Sequence, residues 1–209
     1  KFTTWMFSIA RRLVLNERVV AVEKDKNDPK TIAAFIGHNL RTGAENRYRA
    51  RLFADCTGDA WIGHWAGAAW RMGREARAEF GESLAPTNAD AMTMGSTLMW
   101  STRVASGPRS FPAVPWALTV AGTNAATSGG WNWEYGLTLD TIADAEQIRD
   151  HLLRAIYGNF SNAKTLTTNH VNRELDWVPY VAAKRESRRP AGEYPLTQGD
   201  IQSRPFSRA

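Results

Sequence analysis

Thr57, Gly58 and Asp59 close a run, residues 51–56 (RLFADC), that turns apolar before it stops, and Gly63, Ala66, Gly67 and Ala68 follow at helical spacing. The order reads as strand, tight turn and close-packed helix. Ligands of open α/β sheets sit beyond the carboxyl ends of strands, where a glycine lets the backbone approach and a helix start offers free amides. Asp59 then has two readings. It caps the helix, or it accepts hydrogen bonds from a ligand hydroxyl such as that of a ribose. The plainest alternative for the whole unit is a structural turn with a capping aspartate.

A second group of chemically capable residues is the stretch 184–189 (KRESRR), with Lys184, Arg185, Arg188 and Arg189 crowded together. Clustered guanidinium groups pair bidentately with carboxylates or phosphates. The competing reading is a solvated strand on which Glu186 neutralises its neighbours. Weaker signals are set aside. His38, His64, His151 and His170 show no metal-ligand spacing, so no metal site is expected. Residues 161–164 (SNAK) match an S-x-x-K pattern without its companion motifs and read as chance. Trp131 and Trp133 would share one side of a strand, where paired rings either stack on a sugar or aromatic compound or pack in the core.

Composition narrows the classes. The chain has 209 residues, 43% of them hydrophobic, which is enough to bury a sizeable core. Cys56 is the one cysteine, so no intrachain disulfide, four-cysteine cluster or structural zinc site can be built from this segment alone. The net charge of +5 is local to residues 184–189, which argues against nucleic acid as a partner. No apolar run approaches the roughly 20 residues that span a bilayer, so no membrane association is expected. The chain reads as soluble, with cytoplasmic and exported locations both open. It opens at Lys1 and ends in a polar, patternless tail, and so reads as an internal piece of a longer protein.

Strand-like runs at 12–23, 31–38 and 48–55, joined by turn-rich KDKNDPK and NLRTGAEN, predict an antiparallel meander. Residues 71–82 suit a charged helix or an irregular surface segment. Residues 91–103 alternate Met92, Met94, Leu98 and Trp100 with small or polar residues, the signature of a half-buried strand. Residues 107–115 and 122–130 read as loops, and Trp131, Trp133 and Tyr135 as a further strand. Thr141 and Asp144 predict a capping box for a helix with Ile142, Ala145, Ile148, Leu152 and Ile156 on its apolar face.

Five segments in consistent order resemble FAD-dependent oxidoreductases of the glutathione-reductase-like flavoprotein superfamily. They are RARLFADCTGDAWIGHWAGA (49–68), GREARAEFGESLAP (73–86), WNWEYG (131–136), DTIADAEQIRDHLLRAIYG (140–158) and KRESRRPAGEYPLTQGDI (184–201). The resemblance implies an α/β fold: the C-terminal part of a Rossmann-like FAD/NAD(P)-binding domain with a β-meander, plus a mixed sheet-and-helix substrate domain. The expected boundaries are 1–72 for the partial FAD domain, 73–189 for the substrate domain and 190–209 for a return segment. It implies FAD as cofactor, with Cys56, Thr57, Gly58 and Asp59 near it. Cys56 stands where the family motif has alanine and is expected to be a small buried residue.

The resemblance also implies a small-molecule substrate, anionic or hydroxylated, positioned by Arg185, Arg188 or Arg189. Flavin-mediated hydride or electron transfer would be the reaction, and the sequence points to no catalytic acid or base. No G-x-G-x-x-G loop follows a strand in this chain, and the resemblance places that loop upstream of Lys1. Two rival classes stay open: a non-catalytic module gripping a polysaccharide or polyanion through Trp and Arg side chains, and a flavoprotein-like scaffold without catalysis. Nothing in the sequence indicates the oligomeric state.

Overall fold

The computed structural model describes residues 12–129 and 133–203. In chain order its elements are β1 (Glu17–Lys24), β2 (Ile32–Asn39), β3 (Glu45–Tyr48), α1 (Trp61–Ala66), β4 (Trp70–Arg71), α2 (Arg77–Phe80), β5 (Ser96–Thr97), β6 (Ser101–Val104), α3 (Pro115–Ala121), β7 (Glu134–Tyr135), α4 (Ala145–Thr165), β8 (Arg173–Trp177), β9 (Arg189–Pro190) and α5 (Gln198–Ser203). The result is a mixed α/β chain with small sheets. Two compact units divide it: Lys1–Trp70 with Arg189–Glu193, and Arg71–Arg188 with Tyr194–Ala209.

Unit one is built on the antiparallel meander β1-β2-β3. Its turns close on the residues whose side chains mimic backbone. Asp25 Oδ1 accepts from Asn27 N at 2.8 Å and Asp28 Oδ2 from Thr31 Oγ1 at 2.6 Å. Asn39 Oδ1 accepts from Arg41 N and Thr42 N, each at 3.0 Å, before the positive-φ Gly43. The third strand is shorter and earlier than expected. It ends at Tyr48, and residues 49–59 form no strand. Among the described residues no parallel neighbour pairs with them, and a lone strand leaves its backbone donors and acceptors unmet. Leu52 is consequently 89% exposed, while the Phe53 ring holds the segment to the meander by packing on Phe35 at 4.3 Å.

Unit two is organised around α4. Ile148, Leu152, Ile156 and Phe160 recur at i+4 on one face and are buried with Leu98 and Trp100 in a single core cluster. The expected strand over 91–103 is instead two short pieces, β5 and β6, with different partners: β5 pairs with β7, and β6 with β8. Leu98 and Trp100 point inward as the alternation predicts, but Met94 is exposed. The loop expected at 107–115 ends where α3 starts at Pro115, a favoured first helical residue. Within 71–82 only the four residues of α2 are helical, and Gly81 terminates it with a positive φ.

The expected capping box does not form. Asp144, not Thr141, occupies the cap of α4, and no side-chain cap bond is present. Asp140 Oδ1 takes the amides of Ile142 and Ala143 at 2.8 and 3.0 Å, winding a turn ahead of the helix. Thr141 is fully buried and its hydroxyl donates to Glu186 O at 2.7 Å.

Candidate functional site

The Thr57–Gly58–Asp59 motif lies in unit one, on a turn scaffolded by a residue just before it. Asp55 Oδ1 accepts from Thr57 N at 3.0 Å and from Thr57 Oγ1 at 2.7 Å, while Asp55 Oδ2 accepts from Gly63 N at 2.9 Å. Thr57 Oγ1 in turn accepts from Trp61 N at 2.9 Å. Burial pushes the Asp55 carboxyl up, but the Thr57 hydroxyl and the amides of Gly63, Thr57 and Ile62 outweigh it and hold the group below its usual range.

This arrangement corrects two expectations. Asp59 is not the helix cap: the cap position of α1 is Ala60, with φ 53°, and it makes no side-chain bond. The hydroxyl of Thr57 satisfies the first helical amide instead. Cys56 is exposed, not buried, because no neighbouring strand or helix covers the segment that carries it. Gly58 has φ +84°, a conformation that side chains rarely adopt, and a Cβ there would meet nothing within 4 Å. The backbone at Gly58 is thus open to an approaching group, while the aspartate before it holds the turn from within.

The boundary between the two units falls within the basic stretch. Arg185 and Arg188 belong to unit two, and Arg189 to β9 of unit one. Arg185 Nη1 pairs with Glu134 Oε2 at 2.9 Å, and its Nη2 lies 3.6 Å from Met94 Sδ. Glu134 Oε1 also accepts from Gly95 N at 2.8 Å, and Glu186 Oε2 accepts from Met94 N at 2.8 Å. The stretch is therefore laced to residues 94–95 and 134 as well as being charged. The Asp140 carboxyl is held below its ordinary range first by the Ala143 and Ile142 amides, then by the positive charges of Arg188 and Lys184.

Unit two also contains a cavity of about 450 Å³, whose lining includes Trp133, Glu134, Tyr135, His151 and Asn159. Tyr135 and His151 stack with centroids 3.5 Å apart and planes 9° from parallel. Burial, then the nearby Arg154 charge, pushes the His151 imidazole below its ordinary value and keeps it neutral. Trp133 meets Trp100 edge to face at 5.6 Å; Trp131 lies outside the described residues. The sequence signals for this cavity were half visible. Trp133 and Tyr135 both line it, but so does Glu134 between them, and the strand spans only residues 134–135; His151, Ala155 and Asn159 form an i, i+4, i+8 stripe that apolar periodicity passes over.

The remaining signals resolve as structure. Lys164 of the S-x-x-K match donates to the carbonyls of His170, Val171 and Arg173, each at 2.8 Å, which occupies its ammonium. Among the described residues no group of three or more His, Cys, Asp or Glu side chains could hold a metal ion, and no helix is long and apolar enough to cross a membrane.

Compared with known proteins, the chain matches the family described as FAD dependent oxidoreductase over residues 2–208. No curated protein and no solved structure matches it.

Proposed function

The chain belongs to the FAD dependent oxidoreductase family, and on that premise we propose that it forms part of a flavoenzyme that oxidises or reduces a small-molecule substrate. Bound FAD supplies the redox chemistry, accepting a hydride or passing electrons, and the protein supplies orientation and charge. Residues 56–59 are the part of this chain that would hold the cofactor. The observation that carries the reading is the open backbone at Gly58, on a turn that Asp55 braces through Thr57 and Gly63. A cofactor oxygen can come close to the main chain there, Asp59 can accept from a hydroxyl, and Thr57 is kept in place by its bonds to Asp55 and Trp61. Arg185, Arg188 or Arg189 would orient an anionic or hydroxylated substrate.

The finer fold reading goes with this proposal: a Rossmann-like FAD domain interrupted by the meander, a substrate domain of sheet and helix, and a chain that is an internal part of a longer flavoprotein. The test is the visible spectrum of the full-length protein, purified without added cofactor and then titrated with FAD. A flavin spectrum that bleaches on reduction is expected, with FAD binding at least tenfold weaker in Gly58→Val. A folded, colourless protein that takes up no FAD overturns the reading.

A further inference from the structure

The cavity of unit two is lined by none of residues 56–59, the part of the chain assigned above to the flavin. Its volume of about 450 Å³ falls within the range of about 300–1,000 Å³ usual for small-molecule sites. We propose that it binds a neutral, polyhydroxylated ring compound, a free sugar or the end of a sugar chain, against Trp133 and Tyr135. Charge is the first argument. Glu134 is the one ionic side chain among the described lining residues, and both its oxygens are engaged, Oε2 by Arg185 at 2.9 Å and Oε1 by Gly95 N at 2.8 Å. The described lining thus offers no unbalanced charge of its own, and the cation acting on it, besides Arg185, is that of Arg154 beside His151. His151 adds none, since burial holds its imidazole neutral.

Polar character is the second argument. Asn124 and Ser128 sit exposed at the rim, and Asn159 is buried deeper on α4. Amides and hydroxyls both donate and accept, as sugar hydroxyls do, so each can serve either role. The Asn159 amide donates to Ala155 O at 2.8 Å, which fixes its orientation before any ligand arrives.

The rings supply the third argument. Aromatic rings interact in offset-stacked or edge-to-face arrangements, so a flat heterocycle would be sandwiched only between two open ring faces. Here the parallel pair, Tyr135 and His151, is already closed at 3.5 Å. Trp133 meets Trp100 edge to face, 5.6 Å away and nearly perpendicular. Among the described residues no second ring stands parallel to Trp133 to complete a sandwich, which suits the CH face of a sugar ring better than an intercalated base.

Binding is measured on the full-length protein by calorimetry and tryptophan fluorescence, with glucose, galactose, mannose, N-acetylglucosamine and cellobiose as probes. At least one should bind saturably at millimolar concentration or below; a monosaccharide that suffices indicates a free sugar, and a requirement for cellobiose indicates a chain end. Asn124→Ala, or Ser128→Trp to fill the rim, should weaken binding at least tenfold with the unfolding profile unchanged. Three results overturn the proposal: no saturable binding by any probe, an affinity unmoved by both variants, or adenine or glucose 6-phosphate binding tenfold tighter than every neutral sugar. Sugar binding by a colourless protein would refute the flavin reading and leave this one standing.

Discussion

Replacing Asp55 with alanine removes three hydrogen bonds at once, from Thr57 N, Thr57 Oγ1 and Gly63 N. A bond to a charged acceptor contributes about 1.5–3 kcal/mol when shielded from water. Asp55 lies on an exposed turn, where screening and competing water reduce each contribution to about 0.5–1 kcal/mol. The freed amides also find solvent, so the net loss is about 1–2 kcal/mol, equivalent to a roughly 5- to 30-fold increase in the opening equilibrium of the turn. Amide hydrogen exchange reads this directly, and the amides of Gly63 and Trp61 should exchange faster by that factor while those of α4 do not change. FAD affinity should fall by no more than the same factor, because an opened turn is lost only as a fraction of the binding-competent population.

The charge dependence gives a second arm. The carboxyl of Asp55 is held below its ordinary value of 3.8. Its contribution is therefore complete above that value and disappears as pH falls through the lower folded value. The advantage of the natural protein over Asp55→Asn should persist at pH 6 and shrink as the solution is taken below about pH 4. Unchanged exchange at Gly63 in Asp55→Ala, or an Asp55→Asn deficit that grows on acidification, would refute the reasoning.

Three further outcomes are expected. Gly158→Ala puts a Cβ 2.5 Å from Ala121 Cβ and 2.8 Å from Ala117 O; overpacking of about 1–3 kcal/mol outweighs the roughly 1 kcal/mol of helix propensity gained, so urea unfolding should show a loss of about 1 kcal/mol, and a stabilised variant would be contrary. Lys164→Met removes the ammonium donor from three carbonyls, two of which, His170 O and Val171 O, keep the amides of Arg173 and Arg109, and should destabilise unit two by about 1 kcal/mol, with exchange at residues 170–173 accelerated. His151 should titrate in NMR below its ordinary 6.5; because the fold favours the neutral ring, its contribution is present above that value and lost as pH falls through the folded one, and a midpoint at or above 6.5 would contradict the buried stack.

The first two strands of the meander and its turns were legible in the sequence because their determinants are local. Each turn is closed by an Asp or Asn acting on amides two or three residues away, as Asp25 and Asn39 do. The third strand, expected at 48–55 and found at Glu45–Tyr48, was misplaced for the opposite reason. Residues 51–56 have strand composition, but a strand exists only where a neighbour takes its hydrogen bonds, and the motif does not encode that neighbour. The same gap explains Cys56, whose small size suggested burial although nothing covers it. Asp55 escaped notice because Asp59 is the conventional place to look for a cap. Which acidic side chain turns back toward the amides depends on the left-handed φ at Gly58 and Ala60, a geometry that composition does not specify.

Helix α4 shows how a structural reading and a functional reading can be written into one stretch of sequence. Ile148, Leu152, Ile156 and Phe160 fill the core, while His151, Ala155 and Asn159, displaced by three residues from the first stripe, line the cavity. Apolar periodicity identifies the first stripe without knowledge of any partner, since burial alone explains it. The second has no such signature, because a histidine, an alanine and an asparagine on a helix face are equally compatible with solvent. It becomes a wall only when β7 lays Tyr135 against His151 and the loop before it brings Asn124 and Ser128 to the rim. The core stripe follows from the helix's own sequence; the cavity stripe requires the tertiary contacts of unit two, and mutations that shift β7 should therefore alter the cavity while leaving α4 intact.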